Sequence, residues 1–256
     1  VGQGFAIGRG LFAIVVAALG AYCLIFSQFV PSLEPVPAAL GQPTPWTWLT
    51  GLALMAGALS LLADRTARAG ALLLATLFFL SVLLLHGPPL LANLKAQADD
   101  ALHTLALGAA ALVLAAGVRH APGAQARWGR LIEHGGRVGR LCFGLCLIGF
   151  GIMHFEFFSF TADFIPAWIP LHRFWAVATG AAQIAAGVAV LSGVLARLAA
   201  ILSAVMYGSW VVIVHAPRVL AHLLSHSEWT DLFTAAGLCA GALMVAGAIA
   251  GREVPR

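Results

Sequence analysis

Residues 82–94 read VLLLHGPPLLANL, and residues 211–223 read VVIVHAPRVLAHL. In both, an apolar run meets a histidine, His86 or His215, and a proline follows two residues later. A Leu-Ala-x-Leu tail closes each stretch. The likeness extends outward. Residues 50–94 align without a gap to residues 179–223, with roughly a third of positions identical. Thr50-Gly51 matches Thr179-Gly180, and Ala67-Arg68 matches Ala196-Arg197. With small shifts Arg9 and Gly20 match Arg140 and Gly151, and Asp100 matches Asp231. A period this long marks a duplicated unit rather than a short solenoid.

The solvent of that unit follows from composition. The chain has 256 residues, of which 61% are hydrophobic and 9% charged, with mean hydropathy +0.95. A soluble domain carries about 25% charged residues. A chain this apolar cannot cover itself with water-compatible surface, so its solvent is a bilayer. A span needs about 20 mostly apolar residues. Eight runs qualify: approximately 11–30, 46–63, 68–86, 100–118, 140–160, 174–192, 197–215 and 230–250. The fold class expected is therefore all-α integral membrane, eight transmembrane helices arranged as two parallel four-helix repeats. The units are 1–118 and 140–256, joined by a basic cytoplasmic linker, 119–139. Four spans per unit keep both units in one orientation. The run from Leu11 reads as a retained span, with no signal-cleavage pattern before it. Proline-rich loops fall at 31–45 and 166–170, and the Pro88 and Pro217 stretches are expected to end their spans.

The basic residues sort by side. With the first span running outward, the inner side holds Arg9, Arg65, Arg68, Arg119, Arg127, Arg130, Arg137, Arg140, Arg197, Arg252 and Arg256. The outer side holds Lys95, Arg173 and Arg218. Eleven against three is a positive-inside signal that puts both termini in the cytoplasm of a bacterial inner membrane. It also disposes of nucleic acid as a partner, because the basic pI near 9.2 reflects topology rather than a footprint. Acids and histidines show the opposite bias: His86, His103, His154, His172, His215, His222 and His226 fall at the outer end, with Glu34, Asp99, Asp100, Glu156, Asp163, Glu228 and Asp231. Topology rules do not explain that bias, so a site is expected to face outward.

Candidate residues follow from depth. His154 lies about 21 Å above Arg140 along a helix, and His215 about 27 Å above Arg197. The core is about 30 Å thick. His154 and Glu156 have no ionisable counterpart in the first half, where Cys23 and Ile25 stand. A titratable group in hydrocarbon costs several kcal/mol unless paired. Two residues apart, His154 and Glu156 point to different faces of a regular helix, one toward the bundle interior and the other toward a neighbouring span or a water-filled cleft. Burial draws the titration ranges of a carboxyl and an imidazole together, so the two can pass a proton to or from a bound ligand. The same logic pairs His86 with Asp100 and His215 with Asp231, each histidine facing the acid that opens the next span. The plain alternative makes these histidines helix ends with an amphipathic tip at the headgroups. Trp168, Phe174 and Trp175 form either a wall for a planar ligand or an interfacial aromatic belt. The four cysteines, Cys23, Cys142, Cys146 and Cys239, sit in apolar runs without Cys-x-x-Cys and read as packing residues. No zinc-type motif is present, so no metal site is assigned. A bis-histidine haem through His154 and His215 is a minor option.

HFEFFSF at 154–160, FIPAWIPLHRFWAVATGAAQIAAGVAVL at 164–191, Ala196-Arg197 and VHAPR at 214–218 together resemble the DoxX-like family of small four-span membrane proteins. The first half looks like a degenerate second copy. The resemblance implies a redox-associated membrane protein, because some members are subunits of quinone-linked oxidoreductases, including thiosulfate:quinone oxidoreductase. Quinone is then the expected cofactor, and a periplasmic or membrane redox protein the expected partner. If the chain is enzymatic, it is an oxidoreductase component. A membrane scaffold for a periplasmic protein is the alternative, and a transporter or haem subunit comes behind it. Fold likeness alone does not choose among these.

Overall fold

The computed structural model describes residues 2–36, 44–118 and 126–253. Within them the chain is helical, with no strand. The elements are α1 (Gln3–Phe26), α2 (Thr44–Ser60), α3 (Asp64–Ser81), α4 (Gly87–Ala92), α5 (Leu94–Gly117), α6 (Ala126–Glu156), α7 (Phe158–Phe164), α8 (His172–Ser192), α9 (Ala196–Trp210), α10 (Ala216–Ala221) and α11 (His226–Glu253).

Seven described helical segments are long and apolar enough to cross a membrane: Gln3–Phe26, Asp64–Ala92, Leu94–Gly117, Gly129–Glu156, His172–Ser192, Ala196–Ala221 and His226–Gly251. The protein is a multi-pass membrane protein. The run expected as an eighth span is α2, which has 17 described residues. At 1.5 Å per residue it is about 26 Å long, less than a core of about 30 Å.

Two boundaries differ from expectation. The prolines after His86 and His215 do not end their spans. A single π-helical turn, Val82–His86, joins α3 to α4, and another, Val211–His215, joins α9 to α10. Each closes with an i+5 bond, Gly87 N–H to Val82 O and Ala216 N–H to Val211 O. Proline then occupies the first turn of the following short helix, where no N–H is demanded. The second boundary is the linker. Residues 126–139 belong to α6, which runs unbroken to Glu156; the rest of the expected linker, 119–125, lies outside the described residues.

Small residues set the helix crossings. α1 crosses α2 where a Cβ on Gly20 would come within 2.9 Å of Gly51 O. α6 crosses α8 where a Cβ on Gly151 would come within 2.5 Å of Gly180 O, and one on Gly187 within 2.5 Å of Gly144 O. Inside lipid, association depends on such close approach, because lipid tails are as apolar as leucine. The first helix of each half lies against the last helix of the other: α1 packs along α11, and α6 along α5. α5 and α11 also touch, and Phe143 of α6 and Ala110 of α5 pack around Gly241 of α11.

Arg68 and Arg9 cap helix ends. Arg68 donates to Ala115 O at 3.3 Å and Val118 O at 2.6 Å, where α5 ends. Arg9 donates to Leu61 O at 2.5 Å and pairs with Asp64 at 2.5 Å, holding the turn between α2 and α3. Cations at helix C-termini satisfy carbonyls that have no partner in the helix.

Candidate functional site

His154 sits in the last turn of α6, two residues before its end. Its Nδ1 is 3.1 Å from Phe150 O, and a carbonyl only accepts, so Nδ1 carries the proton. Nε2 is therefore an acceptor, and it faces the Gln183 amide nitrogen at 3.3 Å. Gln183, buried in α8, takes the Tyr207 hydroxyl of α9 on its Oε1 at 3.2 Å. Tyr207 O–H, the Gln183 amide and His154 thus form one directed chain across three helices. Trp210 closes it, stacked on His154 at 5.7 Å and edge-on to Tyr207 at 5.3 Å.

Glu156 is elsewhere. It is ion-paired with Lys95, which opens α5, and both side chains are half-exposed. The structure does not bring His154 and Glu156 into one pair. The two residues between turns point their side chains to different neighbours, α8 for the histidine and α5 for the acid.

His215 and Asp231 belong to a larger group built from both halves. α5 contributes Asp99, Asp100 and His103; the second π-helical turn and α10 contribute His215 and Arg218; α11 contributes Glu228 and Asp231. Asp231 lies in electrostatic reach of His103, Glu228, Arg218 and Asp100. His215 is in reach of Arg218, Glu228 and His103. Arg218 anchors the group through a two-point bond to Glu228, Nε to Oε2 at 2.8 Å and Nη2 to Oε1 at 2.7 Å. His103 donates from Nδ1 to Asp99 O at 2.9 Å, and the Asp99 carboxylate lies 3.5 Å from the same nitrogen. The ligand atoms of Asp99, Asp100 and His103 lie within 4.8 Å of one another, on a rim where Asp99 is exposed. Aromatic rings flank the group: Phe150 on His103 at 4.7 Å, Phe164 on His215 at 5.9 Å, and Phe164 again beneath Arg218 at 4.1 Å. His215 Nδ1 is shut from solvent and has no protein partner.

His86 is fully buried. Its Nε2 donates to Leu33 O at 3.2 Å and lies 3.1 Å from Thr104 Oγ1, whose hydroxyl donates to Asp100 O at 3.1 Å. The link to Asp100 therefore runs through Thr104 and the backbone, not through the carboxylate. His86 Nδ1 has no protein partner, as at His215. Trp168, Phe174 and Trp175 stand 71%, 58% and 44% exposed at the start of α8, an outward-facing surface. His226, at the start of α11, meets Tyr22 OH at 3.3 Å and the Phe26 ring at 4.3 Å.

Sequence reading missed Gln183, Tyr207, His103 and Arg218 as site residues. Gln183 carried a signal: it is the one amide in the middle of an otherwise apolar span, where a polar side chain demands a partner. His103 falls one turn after Asp99, a spacing that puts both on one helix face. Tyr207 and Arg218 had no such mark.

These features define a multi-pass helical membrane protein with a polar group at one end of its bundle. Residues 137–216 match the model of the DoxX family. The match covers most of α6, then α8 and α9 up to His215, and includes His154, Gln183, Tyr207 and Trp210. It spans under a third of the chain. No curated protein and no solved structure matches the sequence.

Proposed function

We propose that this protein is an inner-membrane subunit of a quinone-linked redox system and binds a quinone-type ligand at the outer end of the bundle. The eighth span (α2), the two-unit duplication and the cytoplasmic placement of both termini are part of the same reading. Matching crossings at Gly20–Gly51 and Gly151–Gly180, and matching π-helical turns before Pro88 and Pro217, support the duplication. The observation that carries the functional reading is the titratable group formed by His103, Asp100, His215 and Asp231 between aromatic rings.

Reducing a quinone takes two electrons and two protons, and each carbonyl oxygen becomes a hydroxyl. The protein's share is to hold the ring, place acids and bases at the oxygens, and connect them to water. His215 Nδ1 offers a buried nitrogen that no protein donor satisfies. Asp231 and Asp100 supply exchangeable protons in the same group, and the Lys95–Glu156 pair stands at the rim. The His154–Gln183–Tyr207 chain has its hydrogen bonds committed, so it positions Trp210 and the α6–α8–α9 wall rather than moving protons. Electrons come from a partner redox protein at the outer face.

The test is to purify the chain in mild detergent, record oxidised and reduced absorption spectra, and assay the organic extract for quinone by mass spectrometry. Stoichiometric quinone is expected. Asp231→Asn is expected to slow electron transfer to added quinone at least tenfold with its binding little changed. Absence of quinone and of quinone binding refutes the proposal and favours a docking role. A Soret band that shifts on reduction moves the reading to haem.

A further inference from the structure

One acid in the first half takes no part in that site. Glu34 lies in segment 30–36, between α1 and α2. The segment is pinned at Leu33, whose carbonyl accepts from both the Ser81 hydroxyl and His86 Nε2. Three buried polar atoms around that pin have no protein partner: Ser32 Oγ, Glu34 Oε2 and His86 Nδ1. A water-sized cavity opens there, lined by Glu34 and Ser81 with Leu33, Leu54, Leu77 and Phe78. In folded proteins buried polar atoms are almost always satisfied, and a group left bare is a reason to look for a ligand. A cavity of this size takes one water, given polar partners.

The geometry points to a proton-binding site in the first half: we propose that Glu34 takes up and releases a proton in this cavity, with Ser81 as its polar neighbour. The surroundings fit a neutral acid. α2 and α3 present Leu54, Leu77, Phe78 and Ser81. The titratable groups nearby are Cys23 on α1, in electrostatic reach, and His86, whose Nε2 donates to Leu33 O. No lysine or arginine among the described residues acts on the carboxyl. Its backbone N–H is spent on Val30 O at 2.8 Å, which also holds the segment in place. Burial pushes the Glu34 carboxyl from 4.5 up to about 7, so it titrates in the range where exchange is useful. The proposal does not depend on the quinone reading, since no residue is shared between the two sites.

The experiment uses the full-length protein in vesicles and dicyclohexylcarbodiimide. This apolar reagent adds across its N=C bond to a protonated carboxyl, with no leaving group and no oxidant. Peptide mass spectrometry then reads the adduct at Glu34 as a function of pH. Labelling at Glu34 is expected to be about tenfold stronger at pH 6 than at pH 8, following the protonated fraction of a group with a midpoint near 7. An adduct yield that does not change over that range, or no adduct at either pH, overturns the proposal. Thermal midpoints give an independent reading. A carboxyl raised from 4.5 to about 7 on folding contributes stability below pH 4.5 that is lost as pH rises through 7. Glu34→Gln is therefore expected to raise the midpoint relative to wild type more at pH 8 than at pH 5. An equal difference at both pH values counts against the site, whatever the electron-transfer assay shows.

Discussion

At the scale of single residues, Gln183 has the most to lose. It is fully buried and satisfies two groups on two other helices, the Tyr207 hydroxyl and His154 Nε2. Gln183→Leu keeps the volume roughly and removes both bonds. Each group left bare in the interior costs about 1–3 kcal/mol, against the modest gain of an apolar contact. Gln183→Leu is thus expected to lower the thermal midpoint in detergent clearly, while Gln183→Glu, which keeps an acceptor for Tyr207, loses less. A wild-type midpoint for the leucine variant would mean that His154 and Tyr207 find other partners, and the chain would not be what holds α6, α8 and α9 in register. Counting residues places His154 near the end of α6, where the structure has it in the last turn. It leaves the partners of His154 and Glu156 open, because side-chain partners across helices depend on rotation about each axis. Residues two apart, like His154 and Glu156, diverge by about 200° on a helix of 3.6 residues per turn.

At the scale of elements, the glycines decide which helices meet. Gly151 and Gly180 face each other where α6 crosses α8, and a Cβ on Gly151 meets the backbone oxygen of Gly180 rather than a movable side chain. Backbone does not yield cheaply. Gly151→Val is expected to force the helices apart and to turn a single elution peak into a broad or aggregated one. Gly4→Ala, where nothing lies within 4 Å, is expected to leave the profile unchanged. Equal behaviour of the two variants would show that the crossing tolerates widening. The spans were legible because apolar runs are long and charges sparse. The π-helical turns were not. Proline after a histidine reads as a stop, and only the i+5 bond from Gly87 or Ala216 reveals that the extra residue is absorbed and the helix resumes. The short α2 shows the reverse: an apolar run that satisfied the composition but folds into a helix near the lower limit of spanning length.

At the scale of the whole molecule, the repeat suggests two self-contained bundles, but the packing links them. α1 lies against α11 and α6 against α5, so each half's first helix is buried partly by the other half's last. The polar group at one end of the bundle is likewise shared, with Asp231 in electrostatic reach of Asp100 and His103, and His215 in reach of His103. Sequence identity between halves says nothing of this, because the same helices satisfy the same pattern whether they pack within a half or across it. The consequence is measurable. Residues 1–118 and 119–256, produced separately, are each expected to expose the faces that α11 and α5 cover in the intact chain, and to aggregate or be degraded. Produced together, they are expected to co-purify and to resist protease as the intact chain does. If either fragment alone is monodisperse and protease-resistant, its helices have closed a core within one half. The shared polar group would then be a contact between two finished domains. If only the pair survives, the two halves are one folding unit, and a site drawing on both requires them together.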